Sequence, residues 1–289
     1  MPADLIDNHT DNLTDNLTKT PLDLTEIFKV EKPIIGLVHV SCTDDLKQQQ
    51  EKALQDVERL KRGGIDGLLF ENWGGDYHDR HAGIAVWESL KTIMLETAPQ
   101  TKLPYGLNVL PLDYEKAFSL GKITRAHFVQ VDTLADKVRT DYQNKFVLDI
   151  NARAFLRSRR QAGFEYVPLL VNIQTKHYSI IPWNKKLETS AQQAIGAGAD
   201  ILIVTGKSTG RKTPKEKLRR VKRVSGATPV FIGSGLDEYH AEELLSYADG
   251  AIVGTSLKYG GVTENPVEEE RVKRLMEIVY RVRDRKSKG

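Results

Sequence analysis

Nearly continuous apolar runs of strand length alternate along this chain with longer segments whose apolar residues recur at helical spacing. The runs are IIGLVHV at 34–40, GLLFEN at 67–72, PYGLNV at 104–109, AHFVQVD at 126–132, YVPLLVN at 166–172, DILIVTG at 200–206, PVFIGSG at 229–235 and GAIVGTS at 250–256. Parallel strands, buried on both faces, require this near-continuous apolarity. The intervening segments have the pattern of amphipathic helices. LKQQQEKALQDVERLKRGG spaces Leu46, Ala53, Leu54, Val57 and Leu60 at helical intervals and stops at Gly63-Gly64, and WESLKTIMLETAP stops before Pro104. The same pattern returns at 113–123, 150–163, 187–199, 214–226, 237–248 and 265–286, and a short helix at 21–30 is expected to lie across the bottom of the domain.

Strand and helix alternate eight times, which calls for a parallel sheet of the α/β class. A doubly wound open sheet fits the alternation too, but it usually has fewer strands and a glycine-rich turn after the first. Here VHVSCTDD follows the first strand without a glycine. The expected fold is therefore a (β/α)8 TIM barrel, a single domain over residues 21–283. A flexible tail is expected at 1–20, where DNLT is doubled, and a basic tail at 284–289. Such a barrel holds its ligand at the C-terminal ends of the strands.

Composition narrows the setting. Hydrophobic residues make up 40% and charged residues 28%, enough apolar material for a full core. No run approaches the roughly 18 apolar residues of a membrane span, so no integral membrane segment is expected. The acidic start lacks the basic and apolar regions of a signal peptide, and Cys42 as the single cysteine allows no intrachain disulfide. A cytoplasmic protein is the expectation. The net charge of +3 predicts no polyanion partner. Basic runs at 207–223 and 281–289 carry no interleaved aromatics, so nucleic acid is not expected either. They read as solvated faces, although the first starts at a strand end, where a cation can meet an anionic ligand. Many barrels of this size pair, and a homo-oligomer is expected.

Polar and ionisable residues gather at one end of the strands. Gly233-Ser234-Gly235 and Gly254-Thr255-Ser256 close the seventh and eighth runs. Barrels often bind a phosphate there, since glycine lets backbone N–H groups approach an anion; tight strand-to-helix turns are the other reading. Thr205 and Lys207, in the hydroxyl-rich TGKSTG loop, either close over the same group or belong to a plain surface loop. His39 is placed to act as a general acid or base, or is a satisfied core histidine. Glu71 and Asn72 are neighbours in a strand, so only one of them can enter the barrel mouth. Asp132 would face His39 and Glu71 across the mouth, or cap a helix. Asn108 and Asn172 are placed to orient a substrate. Lys176 can pair with a phosphate, polarise a carbonyl, form a Schiff base, or remain a solvated loop lysine. Lys258 is either another phosphate partner or exposed. His39, Glu71, Asp132 and His177 lack the spacing of a metal site, and neither a metal nor a cofactor is expected. ENWGGDY at 71–77 has the composition of a mobile lid in which Trp73 covers a ring or packs under the loop.

Several stretches are specific in combination: KPIIGLVHV, GGIDGLLFENWGGDY, PYGLNVLPLD, ADILIVTGKSTG, PVFIGSGL and ADGAIVGTSLKYGG. Together they resemble the BtpA/SgcQ family, from about Phe28 to Met276. The resemblance implies a phosphate-binding TIM barrel related in architecture to phosphoribosylanthranilate isomerase. It also implies a link to photosystem I, whose accumulation in thylakoid membranes gives the family its name, but it brings no settled reaction. Two segments depart from the family pattern. VSCTDDLKQQQ stands where a Pro-Leu-Pro-Gly-Ser-Pro loop is usual, and VRTDYQNKF replaces a VTDQGxxxG segment while keeping Thr140-Asp141.

The expected function is that of an enzyme acting on a small phosphorylated metabolite, a sugar phosphate or phosphoribosyl compound, by acid–base chemistry such as isomerisation. His39, Glu71, Asp132 and Lys176 would be catalytic. Asn72, Asn108, Asn172, Thr205 and Lys207 would bind the substrate, and Gly233, Ser234, Gly235, Gly254, Thr255 and Ser256 its phosphate. The alternative is a noncatalytic factor for biogenesis or stability of a membrane complex, with peripheral membrane contact.

Overall fold

Alternate residues of a strand face opposite sides, so each apolar run in this chain supplies one set of side chains to a barrel interior and another to the surrounding helices. A computed structural model describes residues 22–41, 45–74, 78–142 and 144–286. The expected tail at 1–20, Cys42 and the Gly75-Asp76-Tyr77 part of the expected lid lie outside the described residues. In chain order the first elements are α1 (Leu24–Phe28), β1 (Ile34–Ser41), α2 (Leu46–Arg62), β2 (Gly67–Trp73), α3 (Ile84–Thr97), β3 (Tyr105–Asn108), α4 (Tyr114–Thr124) and β4 (Phe128–Val131). There follow β5 (Lys137–Thr140), β6 (Val147–Leu148), α5 (Ala152–Gln161), β7 (Leu169–Ile173), β8 (Tyr178–Ile181), α6 (Leu187–Gly196) and β9 (Ile201–Val204). The chain ends with α7 (Lys215–Val224), β10 (Val230–Ile232), α8 (Ala241–Leu245), β11 (Gly250–Val253) and α9 (Glu269–Lys286). Helix α9 thus runs past position 284, where a tail was expected to start.

Eight parallel strands close into a barrel in the order β1, β2, β3, β4, β7, β9, β10, β11, with β11 pairing back onto β1. This is the (β/α)8 architecture expected from the alternation. The interior changes character along each strand. Ile35, Leu69, Phe128, Leu170, Ile203, Phe231 and Ile252 form an apolar plug, which Phe28 of α1 closes from below with its ring 5.7 Å from that of Phe128. Two residues beyond Leu37, Leu69, Gly106, Phe128, Leu170, Ile203, Phe231 and Ile252 stand His39, Glu71, Asn108, Gln130, Asn172, Thr205, Gly233 and Gly254. Period two therefore stacks a polar layer directly on the apolar one. The other face of the strands packs on the helices, to which α9 contributes the buried stripe Val272, Leu275, Met276 and Val279.

The bottom of the barrel is fastened by a recurring device. The residue before every second strand of the barrel (β2, β4, β9 and β11) accepts the first N–H of the barrel strand preceding it: Asp66 from Ile34 at 2.8 Å, His127 from Tyr105 at 3.3 Å, Asp200 from Leu169 at 2.8 Å and Asp249 from Val230 at 2.8 Å. Each aspartate is also paired with a cation, Arg283, Arg159 and Lys222 respectively. These clamps satisfy strand-end donors that would otherwise be orphaned on burial.

The structure departs from simple alternation after β4 and β7. Before their helices begin, these strands are followed by β5, β6 and β8, which form a small antiparallel sheet in the order β6, β5, β8. Thr140 pairs with Tyr178 and Arg139 with Val147. The VRTDYQNKF segment, where the chain leaves the family pattern, helps build this sheet.

Candidate functional site

The polar layer opens into a cavity of about 420 Å³ at the C-terminal strand ends. One wall carries the ionisable groups. Asn108 donates both hydrogens of its amide nitrogen, to Glu71 Oε2 at 2.8 Å and to Asp132 Oδ1 at 3.2 Å, and so bridges the two carboxylates. Asn172 adds a second donor to Asp132 Oδ1 at 3.1 Å, and the hydroxyl of Tyr178, from β8, donates to Asp132 Oδ2 at 2.7 Å. Burial pushes the Glu71 carboxyl up to about 7, aided by the like charge of Asp132 and opposed by the Asn108 hydrogen bond and the charge of Lys176. Burial also raises Asp132, although its three donors favour the ionised form. The amine of Lys176 is lowered by burial, against the pull of Glu71 and Asp132. His39 is held well below its ordinary range by burial and by the charges of Lys258 and Lys176, so its ring is neutral at neutral pH. It leans on Trp73 with ring centroids 5.1 Å apart, and its Nδ1 is buried without a hydrogen-bond partner among the described residues.

The opposite wall consists of glycines and hydroxyls. A Cβ on Gly254 would stand 3.3 Å from His39 Cε1 and 3.1 Å from Leu37, close enough that a side chain here would press on the imidazole. Gly235, with φ at 65°, would put a Cβ 2.3 Å from the backbone of Arg211, which binds the β10 loop tightly to the loop after β9. The Ser234 hydroxyl accepts from Gly206 N at 2.7 Å and donates to Arg211 O at 3.3 Å. Its work is to hold these loops together. Thr255 Oγ1 meets Thr263 Oγ1 at 2.9 Å, and Ser256 donates to Leu236 O.

The BtpA family model matches residues 30–281. The chain belongs to the BtpA family. It is 30% identical over 267 residues to the photosystem I biogenesis protein BtpA of Synechocystis sp. (strain ATCC 27184 / PCC 6803 / Kazusa), covering 89% of this chain and 91% of that one. It is 27% identical over 270 residues to SgcQ of Escherichia coli (strain K12), covering 90% of this chain and 98% of that one. Among solved structures, N-(5′-phosphoribosyl)anthranilate isomerase from Pyrococcus furiosus superposes with a TM-score of 0.52 at 13% identity, over 86% of this chain and 99% of that one. That likeness is one of fold.

Within this BtpA-family barrel, His39, Glu71, Asp132, Lys176, Asn172 and Thr205 line one cavity together with Gly233, Ser234, Gly235, Gly254, Thr255 and Ser256. Four residues stand elsewhere. Asn72 points outward, as strand parity requires once Glu71 points in, and its amide pairs with Leu110 in both directions: Leu110 N donates at 2.7 Å and Leu110 O accepts at 3.2 Å. Asn108 lies beneath the two carboxylates it bridges. Lys207 is exposed, and the lining takes Thr209 and Gly210 from its basic run but none of the run's lysines or arginines. Lys258 is neither exposed nor a phosphate partner, because it is buried against Asp56 at 2.6 Å. Gln130 and Tyr142 line the cavity unanticipated, and Tyr178 supports it through Asp132. Gln130 was readable, standing two residues before Asp132 on the same strand face. Tyr142 and Tyr178 depend on the small accessory sheet.

The placement of Asn72 yields a prediction. It is fully buried, and Asn72→Ala leaves two backbone groups of Leu110 without a partner, at a cost of about 2 kcal/mol. Thermal melting is expected to show a loss of roughly 4–8 °C. A variant melting with the parent would refute the anchoring role.

Proposed function

We propose that the chain is an enzyme that acts on a small phosphorylated substrate by acid–base chemistry. The observation that carries this reading is the pairing of Glu71 and Asp132 through Asn108, opposite the glycine loops of β10 and β11 in one cavity. Two carboxyls held apart in proton affinity from their ordinary values can take and return a proton at neutral pH. Glu71, at about 7, is the group poised for transfer. Asp132, fixed by three donors, orients and stabilises charge. The neutral His39 ring and the buried Oε1 of Gln130, which has no partner among the described residues, offer hydrogen bonds to substrate hydroxyls. A phosphate would rest against the glycine-rich loops Gly233–Gly235 and Gly254–Ser256, where backbone can approach an anion closely. Isomerisation through an enediol requires only such an acid–base pair, and a protein of the same fold is named for isomerising a phosphoribosyl compound.

The test is thermal stability against pentose phosphates, phosphoribosyl compounds, nucleotides and inorganic phosphate. A ligand at about 100 times its Kd adds about 2.7 kcal/mol, a rise of roughly 5–10 °C. Thr255→Asp places a negative charge on the glycine wall without disturbing the Ser234 bonds, and is expected to abolish that rise while the unliganded variant melts near the parent. A panel without any hit argues against the phosphate reading.

A second reading follows from the relative named as a photosystem I biogenesis protein: a noncatalytic factor for a membrane complex. Among the described residues no helix is long and apolar enough to cross a membrane. A folded triple variant Glu71→Gln, Asp132→Asn, Lys176→Met that still restored a strain lacking the gene would favour this role over catalysis.

A further inference from the structure

We propose that Lys176 forms an imine with the carbonyl group of a small phosphorylated aldehyde or ketone held in this cavity. The inference rests on the phosphate-site reading above and adds the chemical class of the substrate. Its first support is contrast with the other lysines around the mouth. Lys258 is neutralised by Asp56 at 2.6 Å, Lys217 donates to Thr205 O at 3.3 Å, and Lys207 stands in solvent. Lys176 reaches into the cavity, and its side chain makes no hydrogen bond or ion pair to any described residue. A structural lysine is normally held by a partner that offsets its desolvation. This amine is instead placed against open cavity space, with Glu71 and Asp132 near enough to exert their charge on it but outside ion-pair distance.

The loop that carries Lys176 is fixed rather than loose. Its amide N–H donates to Thr205 Oγ1 at 3.2 Å, and Gln174 is tied to Lys185 O and Ser190 Oγ at 3.0 Å each. Gln174 and His177 both adopt left-handed backbone, with φ at 44° and 67°, a conformation that costs energy in residues other than glycine. Burial lowers the proton affinity of the amine, which favours the neutral nucleophile.

The chemistry balances with the groups present. The amine lone pair attacks the carbonyl carbon while the C=O π pair moves to oxygen, and protonated Glu71 gives its proton to that oxygen. The nitrogen returns one proton to Glu71, leaving a neutral carbinolamine. Glu71 then protonates the hydroxyl, water departs, and the nitrogen lone pair closes the C=N bond. The products are a protonated imine, one water and ionised Glu71, which can next remove a proton from the carbon beside the imine.

The full chain is treated separately with pyridoxal 5′-phosphate, glyceraldehyde 3-phosphate and dihydroxyacetone phosphate, reduced with borohydride and mapped by mass spectrometry. A stoichiometric adduct on Lys176 is expected, lost in Lys176→Met, retained in Lys207→Met and suppressed by inorganic phosphate. Glycerol 3-phosphate, which has the phosphate but no carbonyl, is followed in parallel by thermal shift. If it raises the melting temperature while none of the three probes marks Lys176 above Lys207, the imine is refuted and the phosphate site stands. If neither a shift nor a Lys176 adduct appears, the phosphate reading fails and the imine with it.

Discussion

Asp56→Ala is expected to lower the stability of this barrel by about 3–5 kcal/mol, because it strands the Lys258 ammonium in the interior. Lys258 is 2% exposed and Asp56 6%, and their 2.6 Å contact joins the buried face of α2 to the turn that follows β11. Asp56 Oδ1 also accepts Val267 N at 2.7 Å, so the same carboxylate ties down the lead into α9. For a chain of this size the melting temperature should fall by roughly 6–20 °C. Adding Lys258→Met removes the stranded charge and should restore most of the loss, since a buried pair and an apolar replacement are close in energy. A single variant within roughly 2 °C of the parent would show that the pair carries no such weight. The effect extends to the site. Gly254, Thr255 and Ser256 hang between β11 and Lys258, so loosening this anchor should also weaken the phosphate binding proposed for these loops, in variants that remain folded.

The physical reason for such an anchor also explains what could be read from the chain alone. Strands buried on both faces tolerate polar residues only where a ligand or network receives them, so His39, Glu71, Asn108, Asn172 and Thr205 stood out as breaks in apolar runs. Period two then decided that one of Glu71 and Asn72 enters the mouth. It could not decide which, because that depends on whether Leu110 lies across the outer face. Gln130 carries the same signal as Asp132, two residues on, but a glutamine does not titrate, so a search for acid–base groups does not single it out. The partners of Lys258 and Ser234 were hidden for another reason. An ammonium 202 positions from its carboxylate, or a hydroxyl spent on a loop of another strand, acquires its partner only in the closed barrel. The accessory sheet was hidden in the same way, since β6 has two residues and gains strand geometry only from β5. The clamps at Asp66, Asp200 and Asp249 were more legible than they were read, each being an acid directly before an apolar run.

Glu71→Gln should separate stability from function, with the direction set by pH. In the folded chain Glu71 releases its proton near about 7, against 4.5 for the free side chain. Below pH 4.5 both states hold the proton and the group contributes nothing. Between 4.5 and about 7 the unfolded chain has lost a proton that the folded chain keeps, so stability falls as pH rises. Above about 7 the loss is complete. Each pKa unit is worth about 1.4 kcal/mol, so the rise from 4.5 to about 7 sets the loss at no more than about 3.5 kcal/mol, less where water in the cavity screens the carboxylate. Glutamine keeps an oxygen for the Asn108 amide but cannot ionise. The melting temperature of the variant should therefore gain on the parent by roughly 4–10 °C between about pH 5 and about pH 8, most steeply around pH 6, between the two proton affinities, and level off above about 7. A difference that stays flat across this range would mean that Glu71 ionises as freely in the barrel as in water. Turnover of a phosphorylated substrate should move the other way, falling about 100-fold or more once the proton carrier is gone. The two effects together would set fold stability against the chemistry proposed for this residue, since packing alone favours the amide.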